Sequence, residues 1–138
     1  MKSLLLHANN FAVRIEEASN KPGGIIPENL NSSEENADDC LVAFFCVEMQ
    51  DGAKTVNDLY IEIVKSADDF GTKNIVIAPF VHLSNNIADP STAKELYINL
   101  VEKFEGSDYQ ITTSHFGYHK RLLLDVKGHP GSFRFRTF

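Results

Sequence analysis

Apolar and polar residues alternate along Phe11-Ala12-Val13-Arg14-Ile15-Glu16, the period of a half-buried strand, and a short apolar run from Ser3 to His7 precedes it. Asn9-Asn10 between the two suits a tight turn. From Ala18 to Asp39 the periodicity gives way to Ser, Asn, Pro, Gly and acids, as in Lys21-Pro22-Gly23-Gly24 and Asn31-Ser32-Ser33-Glu34-Glu35-Asn36. That composition predicts a mobile surface loop, a solvated connection in its ordinary reading and a substrate lid in its functional one. Leu41 to Glu48 is apolar on both faces, as expected of a central strand covered on two sides.

Thr55 and Asp58 offer an N-cap and an acidic third position, after which Val56, Leu59, Tyr60, Ile63, Val64, Ala67 and Phe70 recur at helical spacing until Gly71. Asn74 to Ala78 reads as a buried strand. Asp89-Pro90 opens a second helix whose face is Ala93, Leu96, Tyr97, Leu100, Val101 and Phe104, closed by Gly106. Tyr109–Thr113, Arg121–Val126 and Ser132–Phe138 read as three further strands, and Phe133 and Phe135 alternating with Arg134 and Arg136 make the last one two-sided. The order predicts an α/β (α+β) fold, a mixed β-sheet with two main amphipathic helices on one or both faces.

At 138 residues the chain is expected to form one domain, 1–138, and with 43% hydrophobic residues global disorder is excluded. Its 13 Lys+Arg against 19 Asp+Glu give a net charge of -6, the wrong sign for gripping nucleic acid by bulk electrostatics, so any such contact must be local. Cys40 and Cys46, roughly 20 Å apart if they share a strand, read as buried free thiols in a reducing compartment. No stretch approaches the ~20 apolar residues of a membrane span, and the apolar run at Met1-Lys2-Ser3-Leu4-Leu5-Leu6-His7 ends too early for a signal peptide. A cytoplasmic protein without membrane contact is expected.

No G-x-G-x-x-G, P-loop or G-x-S-x-G occurs, so nucleotide-cofactor and serine-hydrolase readings lose support. Zinc wants several ligands at short spacing with cysteine or carboxylate partners. No C-x-x-C pair is present, and no metal or cofactor is expected. Pro79-Phe80-Val81-His82-Leu83-Ser84 follows a buried strand and precedes a helix N-terminus, where ligands collect in open α/β sheets; the plainer reading has His82 satisfying nearby backbone. In Phe116-Gly117-Tyr118-His119-Lys120 the glycine lets the backbone bend, and the lysine can hold an anion or position a water. Its plainer reading is a hairpin turn with an exposed lysine. Lys127-Gly128-His129-Pro130 reads as a turn first and a site second.

Leu4-Leu5-Leu6-His7, Leu41-Val42-Ala43-Phe44 with Val47-Glu48, Ala78-Pro79-Phe80-Val81-His82-Leu83-Ser84, Pro90-Ser91-Thr92-Ala93, Phe116-Gly117-Tyr118-His119-Lys120 and Lys127-Gly128-His129-Pro130, in this order, resemble the N-terminal editing domain of archaeal threonyl-tRNA synthetases nearly end to end. The resemblance implies a D-aminoacyl-tRNA deacylase-like fold, a homodimer, and hydrolysis of L-seryl-tRNA(Thr) at its 3′ end, with the rest of the synthetase in cis or in trans. One methyl is worth only ~1–3 kcal/mol of binding, so a synthetic site rejects serine poorly and a second, hydrolytic site is needed. Carried over residue by residue, His82 and Lys120 take the catalytic positions with His119 where the family often has tyrosine. Tyr118 joins the substrate site, and Ala43, Phe44, Phe45, Cys46 and Val47 with Pro79, Phe80 and Val81 line the amino-acid pocket. The family's carboxylate shortly after G-H-P is missing, since Gly131-Ser132-Phe133-Arg134 stand there. A positioned water, aided in the family by the 2′-hydroxyl of the terminal adenosine, needs no protein nucleophile. The competing readings are a free-standing D-aminoacyl-tRNA deacylase and a non-catalytic dimeric module that binds a small amino acid or adenosine.

Overall fold

Lys2–Ala18 forms one long strand, β1, on which the sheet is organised; the computed structural model describes residues 1–138. One edge of β1 pairs antiparallel with β2 (Glu34–Cys46), and beyond it β3 (Asn74–Pro79) and β4 (Gln110–Thr113) follow in parallel. The other edge is shared end to end by β5 (Tyr118–Val126), opposite Ala8 to Ala18, and β6 (Phe133–Thr137), opposite Lys2 to Leu6. Parallel neighbours need crossover connections, and α1 (Ala53–Phe70) and α2 (Pro90–Glu102) supply them between β2, β3 and β4. The expected mixed sheet with two helices is what forms.

The expected turn at Asn9-Asn10 does not form. β1 passes straight through with a bulge between Ala8 and Asn10. The bulge changes the phase of alternation, so Leu6 and Ala8 before it and Phe11 and Val13 after it lie in one apolar cluster. Asn9 and Asn10 bond instead to Asp125 (3.1 Å) and Asp38 (2.7 Å) on the flanking strands. The predicted loop is also shorter than expected, because Glu34 to Asp38 ladders against Arg14 to Asn10. This stretch is largely exposed, so its strand character rests on backbone pairing and leaves little apolar period to read.

β2 has two-sided cover, as expected: Leu41, Ala43 and Phe45 join the helix-side core with Val56, Leu59, Ile63, Leu96 and Leu100, whereas Cys40, Val42 and Phe44 join the opposite cluster. That second cluster contains no helix residue, so both helices lie on a single face. α1 is capped by Gly52 rather than Thr55; Thr55 occupies the third position, where its Oγ1 accepts from Gly52 N–H at 3.0 Å. Asp58 lies inside the helix, bonded to Lys54. Gly71 closes α1 in the left-handed region at φ 70, as read. Asp89 caps α2 by accepting from Ser91 N and Thr92 N, but α2 ends at Glu102 and Gly106 closes a further turn. In β6 the alternation turns its arginines inward: Arg136 meets Glu62 and Arg134 meets Asp69 on α1, leaving Phe133 and Phe135 more than half exposed on the other face.

Candidate active site

A cavity of about 630 Å³ opens where the parallel strands end. β2 delivers Phe44, Phe45, Cys46 and Val47 to it, and β3 delivers Pro79 followed by Phe80, Val81 and His82. These segments are laced together: Phe80 N–H donates to Phe45 O (2.7 Å), Ala88 N–H to Val47 O (3.0 Å), and Cys46 Sγ to Val81 O (3.5 Å). Ser84 donates to Glu48 at 2.5 Å, and this bond, ahead of the neighbouring positive charges, holds the Glu48 carboxyl below its usual range. The short 3-10 turn Val81–Leu83 is thereby pinned at both ends. His82 rides on it, exposed, its ring 5.2 Å from Phe80 and bonded to no protein atom. It does not satisfy local backbone.

Lys120 overturns the plain reading of its motif. Tyr118 to Lys120 are not a turn; they open β5, paired with Ala18 to Ile15, and the lysine runs inward. Its ammonium donates to Ser114 O, to His115 O at 2.6 Å and to Ser114 Oγ at 3.2 Å. No carboxylate pairs with it. Burial depresses its pKa to about 8, with Glu28 pushing weakly the other way. The cavity lining contains no aspartate or glutamate, yet it holds Lys21, His82, His119 and Lys120. In a chain of net charge -6, such a pocket is a local reversal of sign.

The segment between β1 and β2 is a strap over this cavity rather than a solvated connection. Ser19, Lys21, Pro22 and Ile25 line the pocket. The strap is bonded to the chain between β4 and β5: Ser19 N–H donates to Gly117 O (2.8 Å), Glu28 N–H to Phe116 O (3.2 Å), and Tyr118 OH to Glu28 O (2.8 Å). Gly117, at φ +86, carries no Cβ where Pro27 Cα would lie 2.7 Å away. None of these strap residues carried a motif. Length was the available signal, since long unstructured connections in compact domains are usually functional.

Of the residues expected at the site, Phe44, Phe45, Cys46, Val47, Pro79, Phe80, Val81, His82, Tyr118, His119 and Lys120 meet at the cavity. Ala43 does not; it is fully buried in the helix-side core. His119 is exposed at the rim with no protein partner. His115 and His119 have the spacing H-x-x-x-H, which pairs ligands on a helix, but the backbone here is extended around Gly117. His115 turns inward to Glu28 (3.1 Å) while His119 faces the solvent side of the cavity. Lys127 and His129 lie elsewhere, in a separate cluster with His7 and Asp39.

This mixed sheet with both helices on one face is a known fold: the chain superposes with a TM-score of 0.73 on the solved structure named c-Myc DNA Unwinding Element Binding Protein, covering 100% of this chain and 99% of that one at 12% identity. At that identity the likeness concerns fold alone. The chain belongs to the archaea-specific editing domain of threonyl-tRNA synthetase, a hydrolytic proofreading domain, and matches that family over residues 1–138. It is similar to the threonine–tRNA ligases of Methanococcus maripaludis (33% identical over 133 residues, 94% of this chain), Thermofilum pendens (32% over 139, 99%) and Staphylothermus marinus (35% over 132, 94%). It spans about a fifth of the length of these relatives, 20%, 22% and 21% respectively.

Proposed function

We propose that the cavity takes the 3′-terminal adenosine of tRNA(Thr) carrying serine and hydrolyses the ester, sparing threonyl-tRNA(Thr). The observation that carries this reading is a carboxylate-free pocket with a half-buried lysine, unpaired by any carboxylate, at its inner wall. An aminoacyl ester is already activated, so the task is to place a water and stabilise the developing oxyanion. Water oxygen bonds to the carbonyl carbon, the bond from that carbon to the ribose oxygen breaks, and the proton lost by water ends on the ribose oxygen.

Lys120 has three N–H groups and three protein acceptors. Ser114 Oγ is the most distant and the only one free to rotate, so it is the partner that water or the oxyanion displaces. The ammonium form does this work. His82, unpartnered and beside Phe80, holds the ester or the adenosine, and discrimination against threonine's extra methyl falls to the walls from Phe44 to Val47 and Pro79 to Val81.

The remaining tRNA is held by the rest of a synthetase, in cis or in trans, in the cytoplasm. A second copy of the chain covers the helix-free sheet face, where Leu122, Phe133 and Phe135 are 45%, 62% and 55% exposed. Purified protein is expected to deacylate L-seryl-tRNA(Thr) and leave L-threonyl-tRNA(Thr) intact. Preference for D-aminoacyl esters would replace this reading with a D-aminoacyl-tRNA deacylase, and ligand binding without turnover at micromolar enzyme would replace it with a binding module.

A further inference from the structure

The position of the Lys120 ammonium is set by two backbone carbonyls, Ser114 O and His115 O, in a segment that no ladder holds. Residues 114 to 117 lie between β4 and β5 and belong to neither strand. On one side Ser114 N–H donates to Ile77 O at 3.0 Å. On the other side the segment leans on the strap, and the side chain of His115 is the one that enters it.

That imidazole is 8% exposed. Its Nδ1 lies 3.1 Å from Glu28 Oε1, and its Nε2 lies 3.2 Å from Ser32 O and 3.6 Å from Glu35 Oε1. Both ring nitrogens therefore face acceptors on the strap or at the start of β2. Glu28 has few other partners: the Tyr97 hydroxyl is at the edge of hydrogen-bond range, 3.5 Å away. The Glu28 backbone is tied to the same segment through Phe116 O and the Tyr118 hydroxyl. Shifting Glu28 moves His115, and shifting His115 moves an oxygen that Lys120 grips at 2.6 Å.

We propose that His115, clamped by Glu28 of the strap, is a positioning residue for Lys120 in the editing reaction, so that the strap lining the cavity also sets the lysine's place in it. This rests on the hydrolytic role given to Lys120 above. His115 touches no substrate and acts only through its carbonyl. Besides Glu28, Glu35 and Tyr97, the titratable side chains around this network are Lys94 of α2, whose ammonium donates to Ile26 O on the strap, Tyr118, whose hydroxyl donates to Glu28 O, and His119, which lines the cavity with Lys120. A misplacement of about 1 Å is enough to cost on the order of 100-fold when reacting groups are prealigned.

The test is a coupling cycle on seryl-tRNA(Thr) deacylation with the full chain. His115→Ala is expected to lower kcat by about 10-fold or more with KM changed by less than about 3-fold. In a Lys120→Met background the same change is expected to cost less than about 2-fold, because nothing remains to be positioned. Glu28→Gln keeps the strap's backbone bonds and serves if His115→Ala does not fold. It is expected to lower kcat in the same sense. It also shifts the alkaline fall-off in rate to lower pH, since the Glu28 carboxylate opposes the lowering of the lysine's pKa by burial. Equal losses from His115→Ala with and without Lys120, or an unchanged kcat in both variants together with an unmoved pH profile in Glu28→Gln, overturn the proposal while leaving the hydrolytic reading standing. A wild-type rate unaltered by Lys120→Met overturns both.

Discussion

Two clusters in this molecule combine a lysine with a buried histidine, and both arise from motifs that stand out in the sequence. At the joint of β1, β2, α1 and β5, His7 bonds His129 (2.8 Å) and Asp39 (3.3 Å) and stacks on Phe70 with ring centroids 4.6 Å apart, while Lys127 pairs with the same Asp39. At the cavity, Lys120 is gripped by neutral oxygens alone, and the histidine, His115, meets the carboxylate instead. The first cluster neutralises its cation locally and takes no part in the cavity at the ends of the parallel strands. The second leaves its cation without a counter-ion, desolvated, at the wall of a pocket. A charge whose partner has been withheld is available to a substrate; a charge already paired is a fastening.

The largest expected effect separates the two lysines. Lys120→Met should lower seryl-tRNA(Thr) deacylation by one to three orders of magnitude, roughly 1.4–4 kcal/mol of transition-state stabilisation. Lys127→Met should leave the rate within about 2-fold and cost at most ~1 kcal/mol of stability, the worth of a surface pair, since Asp39 is 63% exposed. Steady-state kinetics and thermal unfolding of both variants decide it. Similar rate losses in the two would mean that the missing counter-ion has no catalytic meaning.

The reverse asymmetry is expected for the histidine of the joint. His7→Ala removes a stacked, buried ring together with its bonds to His129 and Asp39, so a loss of about 2–3 kcal/mol in unfolding free energy should accompany an activity that survives at low temperature. Burial, then Lys127, lowers the pKa of His7 below 6.5 in the folded chain. The unfolded state therefore binds the proton first as the pH falls through 6.5, and stability drops in that window. In His7→Ala this part of the pH dependence should be missing. An identical slope of stability against pH in wild type and variant would remove His7 as its source.

How much of this was legible varies with what each segment buries. The helices, the stop of α1 at Gly71 and the start of α2 at Asp89-Pro90 follow from periodicity and capping, because each helix has one face against the core and local chemistry at these ends. The bulge at Asn9-Asn10 was read as a turn because a phase change in a strand and a break between two strands leave the same trace in a polarity pattern. At the site, His82 and the cavity walls were legible from position after a strand and from the family resemblance. The inward turn of Lys120 was not. Its environment is made by Ser114 and His115 carbonyls and by a strap more than eighty residues away in sequence, and backbone oxygens carry no sequence signal. For the same reason the Glu28–His115 clamp could not be read from either residue alone.

The smallest effect concerns His119, the position at which the sequence resemblance leads one to expect tyrosine. Unlike the two inward histidines, it is exposed and bonds to no protein atom, so nothing in the chain fixes its ring relative to Lys120. Proton transfer needs a donor and acceptor held within about 3 Å of each other, whereas a rim residue that stacks on an adenine needs only a flat ring. Imidazole and phenol both supply the ring, but a phenol, with a pKa near 10, does not titrate between pH 5.5 and 8.5. His119→Tyr is therefore expected to change the single-turnover rate by less than about 3-fold and to give a pH profile superimposable on wild type over that range. A limb between pH 5.5 and 7.5 that is present in wild type and flattened in His119→Tyr would show that this histidine joins the reaction. The division between paired and available groups would then have to include an exposed side chain that the substrate alone brings into place.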